Sequence, residues 1–339
     1  MKTVVSLQEL VDFEIRPGAL LSEYHERTRE SLAAVTAAAE SLVEVSCPGC
    51  TGAESDAAFD RFGLTYRLCR ACGTLFVSPR PSEAALASYY RSSAPAIFWR
   101  ERIQVETRDV RLEKLVEPRA EWVLEALAEY APSARIGIDV SPYGGALLER
   151  LLRQGGAVDR LTAAHPAADL DVNGEVTGLR VRPGEVAALE AVGPADFVMA
   201  FDAVDGAADV QQLVHAVHAA LRPGGLFLLT ATSISGFDLQ VLWDRSATIT
   251  PPDKLNLLSL DGLRNLFRVG WEIIELSTPG LFDVENVRRA VTADPSAPWP
   301  RFIRSLVFQG DAAARAEFQE YLQRHRLTSF ARVLVRRET

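Results

Sequence analysis

Four cysteines carry the most legible chemistry in this chain. Cys47-Pro48-Gly49-Cys50 is followed after 18 residues by Cys69-Arg70-Ala71-Cys72. Each Cys-x-x-Cys turn sets two thiolates on one side of the backbone, and Gly49 and Gly73 relieve the crowding there. Four thiolates suit a tetrahedral zinc ion, and the interval between the pairs is that of a zinc ribbon. Protein would fill all four coordination positions, so such a zinc is structural and not catalytic. Free buried cysteines or a redox pair are the alternatives. Four cysteines in 339 residues do not make a disulfide scaffold.

The second stretch with chemical promise is residues 135–150, Arg-Ile-Gly-Ile-Asp-Val-Ser-Pro-Tyr-Gly-Gly-Ala-Leu-Leu-Glu-Arg. Ile136, Ile138 and Val140 predict a short buried strand that carries Asp139. Ser141 to Gly145 is a turn, and Leu147, Leu148, Leu151 and Leu152 predict one apolar helix face. Strand, glycine-containing turn and helix open a nucleotide-binding α/β domain, in which a ligand meets bare backbone at the helix N-terminus. Gly144 and Gly145 suit that contact. Ser141 and Tyr143 put side chains where further glycines are expected, and an ordinary turn without ligand is the alternative.

The elements that must position these residues follow in order. Residues 1–45 read as an acidic, mostly helical lead-in in which His25 stands alone on the surface. Residues 46–80 form the zinc-ribbon domain, with Phe59, Phe62, Leu64, Tyr66 and Leu68 as short apolar strands. Residues 81–132 are a helical linker: Ser82 caps a helix that runs toward Tyr89-Tyr90, and a second helical stretch over 97–130 is interrupted at Pro118. Residues 133–339 alternate strands (161–164, 179–182, 196–201, 226–231, 271–276 and 330–335) with helices. The helix before the fifth strand stops at Arg222-Pro223-Gly224-Gly225. This alternation predicts an α/β fold, a Rossmann-like doubly wound and mainly parallel seven-stranded sheet.

Composition narrows the functions. The hydrophobic fraction is 48% and the net charge is −9. An acidic chain is not held to nucleic acid by a broad basic surface. No run of about 18 apolar residues offers a membrane span, and the N-terminus lacks a signal-peptide core. The expectation is a soluble cytoplasmic protein.

The residues together resemble a family, the class I S-adenosylmethionine-dependent methyltransferases with an N-terminal zinc-binding domain, of which sugar C-methyltransferases are members. The resemblance rests on the cysteine quartet, Leu75-Phe76-Val77-Ser78-Pro79-Arg80-Pro81, Tyr89-Tyr90 and the strand at Ile136 to Val140. It continues through Leu221-Arg222-Pro223-Gly224-Gly225 and through Ser277-Thr278-Pro279-Gly280 leading to Asp283-Val284-Glu285. It spans roughly residues 10–336. It implies a structural zinc on Cys47, Cys50, Cys69 and Cys72. It also implies S-adenosylmethionine bound near Asp139, Ser141, Gly144, Gly145, His165 and Phe201, and a small-molecule substrate such as a nucleotide-linked sugar.

The departures fall at one pocket. The family turn Asp-x-Gly-x-Gly-x-Gly has lost two glycines. His165 replaces the acid that ends the second strand. Asp205-Gly206 replaces a Glu-His pair common in the family, whose histidine the resemblance offers as a candidate general base. Asp205, Lys254 and Tyr90 are the remaining catalytic candidates, with ordinary solvated surface as the alternative for Asp205 and Lys254. Three functions are therefore expected as competitors: an active small-molecule methyltransferase, an inactive homologue serving as a binding module, and a protein that takes a different nucleotide.

Overall fold

The computed structural model describes residues 12–37, 42–141, 145–153, 158–164, 178–181, 189 and 192–339. Its centre is a sheet of β1 (Ile136–Asp139), β2 (Arg160–Ala163), β3 (Leu179–Val181), β4 (Ala195–Phe201), β5 (Leu221–Thr232), β6 (Trp271–Ser277) and β7 (Phe330–Arg337). The hydrogen-bonded order is β3-β2-β1-β4-β5-β7-β6. All neighbours are parallel except β7, which runs antiparallel to β5 and β6. This is the doubly wound 3-2-1-4-5-6 order with a reversed strand inserted before the last place.

Both faces of the sheet are covered, so the central strands are continuous apolar runs. In β4 the side chains still alternate. Phe197, Met199 and Phe201 pack with Trp122, Val123, Leu147, Leu148 and Leu151 under the helices Glu117–Tyr130 and Gly145–Arg153. Val198 and Ala200 pack with Leu213, Val217 and Phe267 under the helices Val210–Ala220 and Leu260–Leu266. Asp196 pins the start of β1 by accepting the N–H groups of Arg135 and Ile136 at 2.8 and 2.9 Å.

Two local expectations change. The helix before β5 does stop at Ala220, but Leu221–Thr232 is one strand whose pairing with β4 shifts register between Leu221 and Leu226. Gly224, at φ 79°, makes that irregularity possible. The stretch over 97–130 is not broken at Pro118. It loosens into π-type turns at Trp99–Ile103 and Leu112–Val116, and Pro118 sits in the first turn of Glu117–Tyr130, where no N–H is missed.

The cysteine segment is an antiparallel sheet of Ser55–Arg61, Leu64–Cys69 and Leu75–Val77. A fourth strand, Asn256–Leu257, comes from far along the chain and pairs with Leu75–Phe76. The helix Gly18–Ala37 buries Tyr24, Thr28 and Leu32. No helix among the described residues is long and apolar enough to cross a membrane.

Candidate functional site

The four cysteine sulfurs lie within 4.8 Å of one another. Sγ of Cys47 is 3.5 Å from Cys72, and Sγ of Cys50 is 3.5 Å from Cys69. A tetrahedral ion with 2.3 Å metal–sulfur bonds separates its ligands by about 3.8 Å, so the cluster has the size of a zinc site. The two turns are built alike: Thr51 N–H donates to Cys47 O at 2.8 Å, and Gly73 N–H donates to Cys69 O at 3.0 Å. Burial raises the pKa of Cys47. At Cys69 burial opposes, but donors from the Cys72 and Ala71 backbone prevail and lower it. Gly49 has a reason beyond relieving its turn. A Cβ there would lie 2.8 Å from Gly262 Cα, because the turn packs on the start of Leu260–Leu266.

A cavity of about 1670 Å³ opens at the carboxyl ends of β1, β2, β4 and β5. The strand order reverses between β1 and β4, and open α/β sheets bind ligands at such a switch point. Val140, Gly145, Ala146, Ala164 and Leu189 line it, and so do Asp202, Thr232, Lys254 and Tyr90.

The turn after β1 is organised by Ser141. Its hydroxyl donates to Asp139 Oδ1 and accepts the Phe201 N–H at 2.7 Å, and its own N–H donates to the same Oδ1 at 3.0 Å. The side chain thus lies beneath the turn, bridging β1 to β4, and not in the cleft where the sequence reading put it. Asp139 is 1% exposed. Burial pushes its pKa up to about 6, against the Ser141 donors and the Arg119 charge. The Phe201 ring packs on Trp122 at 5.6 Å in the core, and it is absent from the cavity wall. Of the residues expected around the cofactor, Gly145 therefore lines the cavity, while Asp139, Ser141 and Phe201 support it from behind. Gly144 and His165 lie outside the described residues.

Asp202 was missed by sequence reasoning. It follows β4 directly with φ 59°, a costly conformation for a residue with a Cβ. It pairs with Arg119 at 2.6 Å and accepts Thr230 Oγ1–H at 3.0 Å. Burial alone would raise its pKa; the Arg119 and Lys254 charges outweigh that and bring it down to about 2. The signal was available: an acid at the carboxyl end of the most apolar strand.

Asp205 and Lys254 correct the expectation of solvated surface. Asp205 is 0% exposed and accepts the Thr232 N–H at 2.9 Å, the Thr232 hydroxyl at 2.7 Å and the Lys254 ammonium. Burial raises its pKa and Lys254 opposes that. Lys254 lines the cavity with Asp205 behind it. Tyr90 Oη donates to Pro252 O at 3.0 Å and lies 2.8 Å from where a Cβ at Gly206 would stand. Its hydroxyl thus occupies the room in which the resemblance places a histidine. The Tyr24 hydroxyl donates to Asp253, tying the helix Gly18–Ala37 to the same loop. His25 is not a lone surface residue. It is partly buried, with Nε2 3.3 Å from Thr250 Oγ1. Burial, then the charges of Arg61, Arg16 and Arg29, take its pKa down to about 4.

No family model matches the sequence, and no curated protein matches it. Among solved structures, the chain is similar to the plantazolicin methyltransferase BpumL in complex with SAH, at 10% identity over 75% of this chain and 95% of that one, with a TM-score of 0.47. It is similar to StiE O-MT at 15% identity over 70% of this chain and 76% of that one, TM-score 0.39. It is also similar to the [4+2]-cyclase SpnF at 17% identity over 65% of this chain and 81% of that one, TM-score 0.39. At identities this low, what those proteins bind and do is said of them alone.

Proposed function

We propose that this protein is an S-adenosylmethionine-dependent methyltransferase acting on a small molecule, with a structural zinc on Cys47, Cys50, Cys69 and Cys72. The observation that carries the reading is the cavity at the β1/β4 switch point, walled by a glycine-led helix start and by the charged carboxylate of Asp202. The described residues fit the cofactor. Val140, Ala164 and Leu189 give an apolar wall for a base, Gly145 and Ala146 put only small side chains at the helix start, and Asp202 offers an anion to a cationic amino group. S-adenosylmethionine, when bound, supplies an electrophilic methyl group.

The chain's own part in the chemistry is to hold charge and protons at the cavity wall. A carbon or hydroxyl nucleophile needs its negative charge stabilised as its proton leaves. Lys254, paired with buried Asp205, suits stabilising an oxyanion. Tyr90, whose proton is committed to Pro252 O, presents an oxygen acceptor to the cavity. The space left for an acceptor suits a nucleotide-linked sugar or a biosynthetic intermediate of similar size.

Calorimetric titration with S-adenosylmethionine and S-adenosylhomocysteine tests the reading. Binding is expected, weakened at least about tenfold in Asp202→Asn through loss of a charged contact. A purified, folded protein that binds neither compound would leave the inactive homologue, a binding module with Asp139 sequestered by Ser141, in its place.

A further inference from the structure

We propose that Arg80 and Asn256 are positioning residues that hold the Lys254–Asp205 pair on the cavity floor. The proposal rests on the reading of that pair as the polar floor of a substrate cavity. Neither residue lines the cavity, so neither touches a substrate.

Arg80 is 1% exposed, yet no carboxylate pairs with it among the described residues. Its guanidinium donates instead to neutral oxygens: Nε to Val77 O at 2.9 Å, and Nη1 to Ala208 O at 3.1 Å, Ala207 O at 3.3 Å and Asn256 Oδ1 at 2.9 Å. Burial takes its pKa down to about 10. A buried cation with no carboxylate in ion-pair contact, only the field of Asp209, is costly, and packing alone would favour an apolar residue there. The geometry shows what it accomplishes. Asn256, 0% exposed, receives Arg80 on its oxygen and donates its amide hydrogens to Val204 O at 2.9 Å and Ala207 O at 2.8 Å. Residues 204–208 are the turn that carries Asp205. Asn256 stands two residues after Lys254, on a segment fixed to the cysteine-bearing sheet by Val77 N–H to Leu255 O at 2.9 Å and by Tyr66 Oη–H to Lys254 O at 2.7 Å. Both halves of the ion pair are thus indexed to the same two buried side chains.

The chain supplies its own probe, because its lysines are only Lys2, Lys114 and Lys254. Reductive methylation with formaldehyde and borohydride, followed by peptide mass spectrometry, reads the accessibility of each amine. Lys114, paired with Glu14 at 2.8 Å, is the internal reference. The expected result in Arg80→Met and in Asn256→Asp, both still binding zinc and keeping native near-ultraviolet dichroism, is a Lys254 labelling rate raised about tenfold relative to Lys114. Arg80→Lys, which keeps a charged donor beside Asn256, should recover part of the protection. Unchanged Lys254 labelling in folded variants overturns the proposal, and so does a parallel rise at Lys114. If Arg80→Met does not fold, Asn256→Asp decides by the same two results. Failure of all three variants to fold assigns both residues to the scaffold and overturns it as well. The experiment uses no cofactor and no methyl acceptor, so its outcome is separate from the fate of the methyltransferase reading.

Discussion

At the scale of single residues, Asp139 and His25 are titratable groups pushed in opposite senses over the same pH range. The folded pKa of Asp139 is about 6, above its ordinary 3.8, so its contribution to stability is complete below pH 3.8 and is lost as pH rises through 6. His25 has a folded pKa of about 4, below its ordinary 6.5, so its contribution is complete above pH 6.5 and is lost as pH falls through 4. The two offset each other between roughly pH 4 and 6.5. Asp139→Asn removes one side of the balance. Thermal melts of that variant should show a steeper loss of stability on acidification than wild type, and at pH 7 it should gain up to about 3 kcal/mol, the worth of a shift of about 2 pKa units. A melting profile parallel to wild type would contradict the burial assigned to this carboxyl.

Ser141 yields a second expectation at this scale, opposite to the one its position in the sequence suggests. A glycine in a nucleotide turn ordinarily makes room for a ligand, but here the side chain is already out of the cleft. Ser141→Gly or Ser141→Ala strips one partner from Asp139 and one from the Phe201 N–H, at about 2 kcal/mol. Chemical denaturation should record that loss, and titration with S-adenosylhomocysteine on the same samples should show no gain in affinity. The turn's composition was legible in the sequence; the direction of one hydroxyl was not, because one of its two partners, the Phe201 N–H, sits on a neighbouring strand 60 residues away. The same holds for Asp205 and Lys254, which are 49 residues apart and meet only in the folded chain.

At the scale of elements, Gly206 and Tyr90 show two segments sharing one space. An alanine at 206 would push its Cβ to 2.8 Å from Tyr90 Oη, forcing that hydroxyl off Pro252 O. Gly206→Ala should cost about 1 kcal/mol, and Tyr90→Phe in the same chain should recover part of it, a coupling of about 0.5–1 kcal/mol in a double-mutant cycle. Additive effects would mean that the two segments do not meet as described. The cysteine-bearing sheet yields an expectation of its own. Under the proposed zinc site, Cys69→Ser should lower the bound zinc below one ion per chain and, because metal binding is coupled to folding, strip hydrogen-exchange protection from residues 64–77 and equally from 254–259. Loss confined to 64–77 would mean that the pairing of Leu75–Phe76 with Asn256–Leu257 carries no stability. Element types were largely legible, since β-branched runs and capped helices announce themselves: Ser82 caps a helix where read. Asn256–Leu257 was not. Two residues have no periodicity, and their strand character comes wholly from the partner.

At the scale of the whole molecule, alternation of strands and helices was enough to read a parallel α/β sheet, because crossover connections leave few other arrangements. Which strands become neighbours is decided by packing, and the place of the cavity follows from that order and not from any motif. The acid at the end of β4 became meaningful only once the reversal between β1 and β4 located the cleft. The net charge of −9 was informative about partners in bulk but silent about the cavity, where Arg119 and Lys254 hold two carboxylates in place.

Asn256–Leu257 also sets a timetable for synthesis. It closes the edge of a sheet whose other strands emerge from the ribosome about 180 residues earlier. At 5–20 residues per second that interval is on the order of ten to forty seconds. Throughout it, Leu75–Val77 offers an unpaired edge and Arg80 has no Asn256 to meet, a configuration prone to association with other chains. All four thiols, by contrast, have emerged once residue 72 is out. With the proposed zinc as ligand, metal capture comes before docking, and zinc available to the nascent chain would protect its yield in a way that zinc added to the finished protein would not.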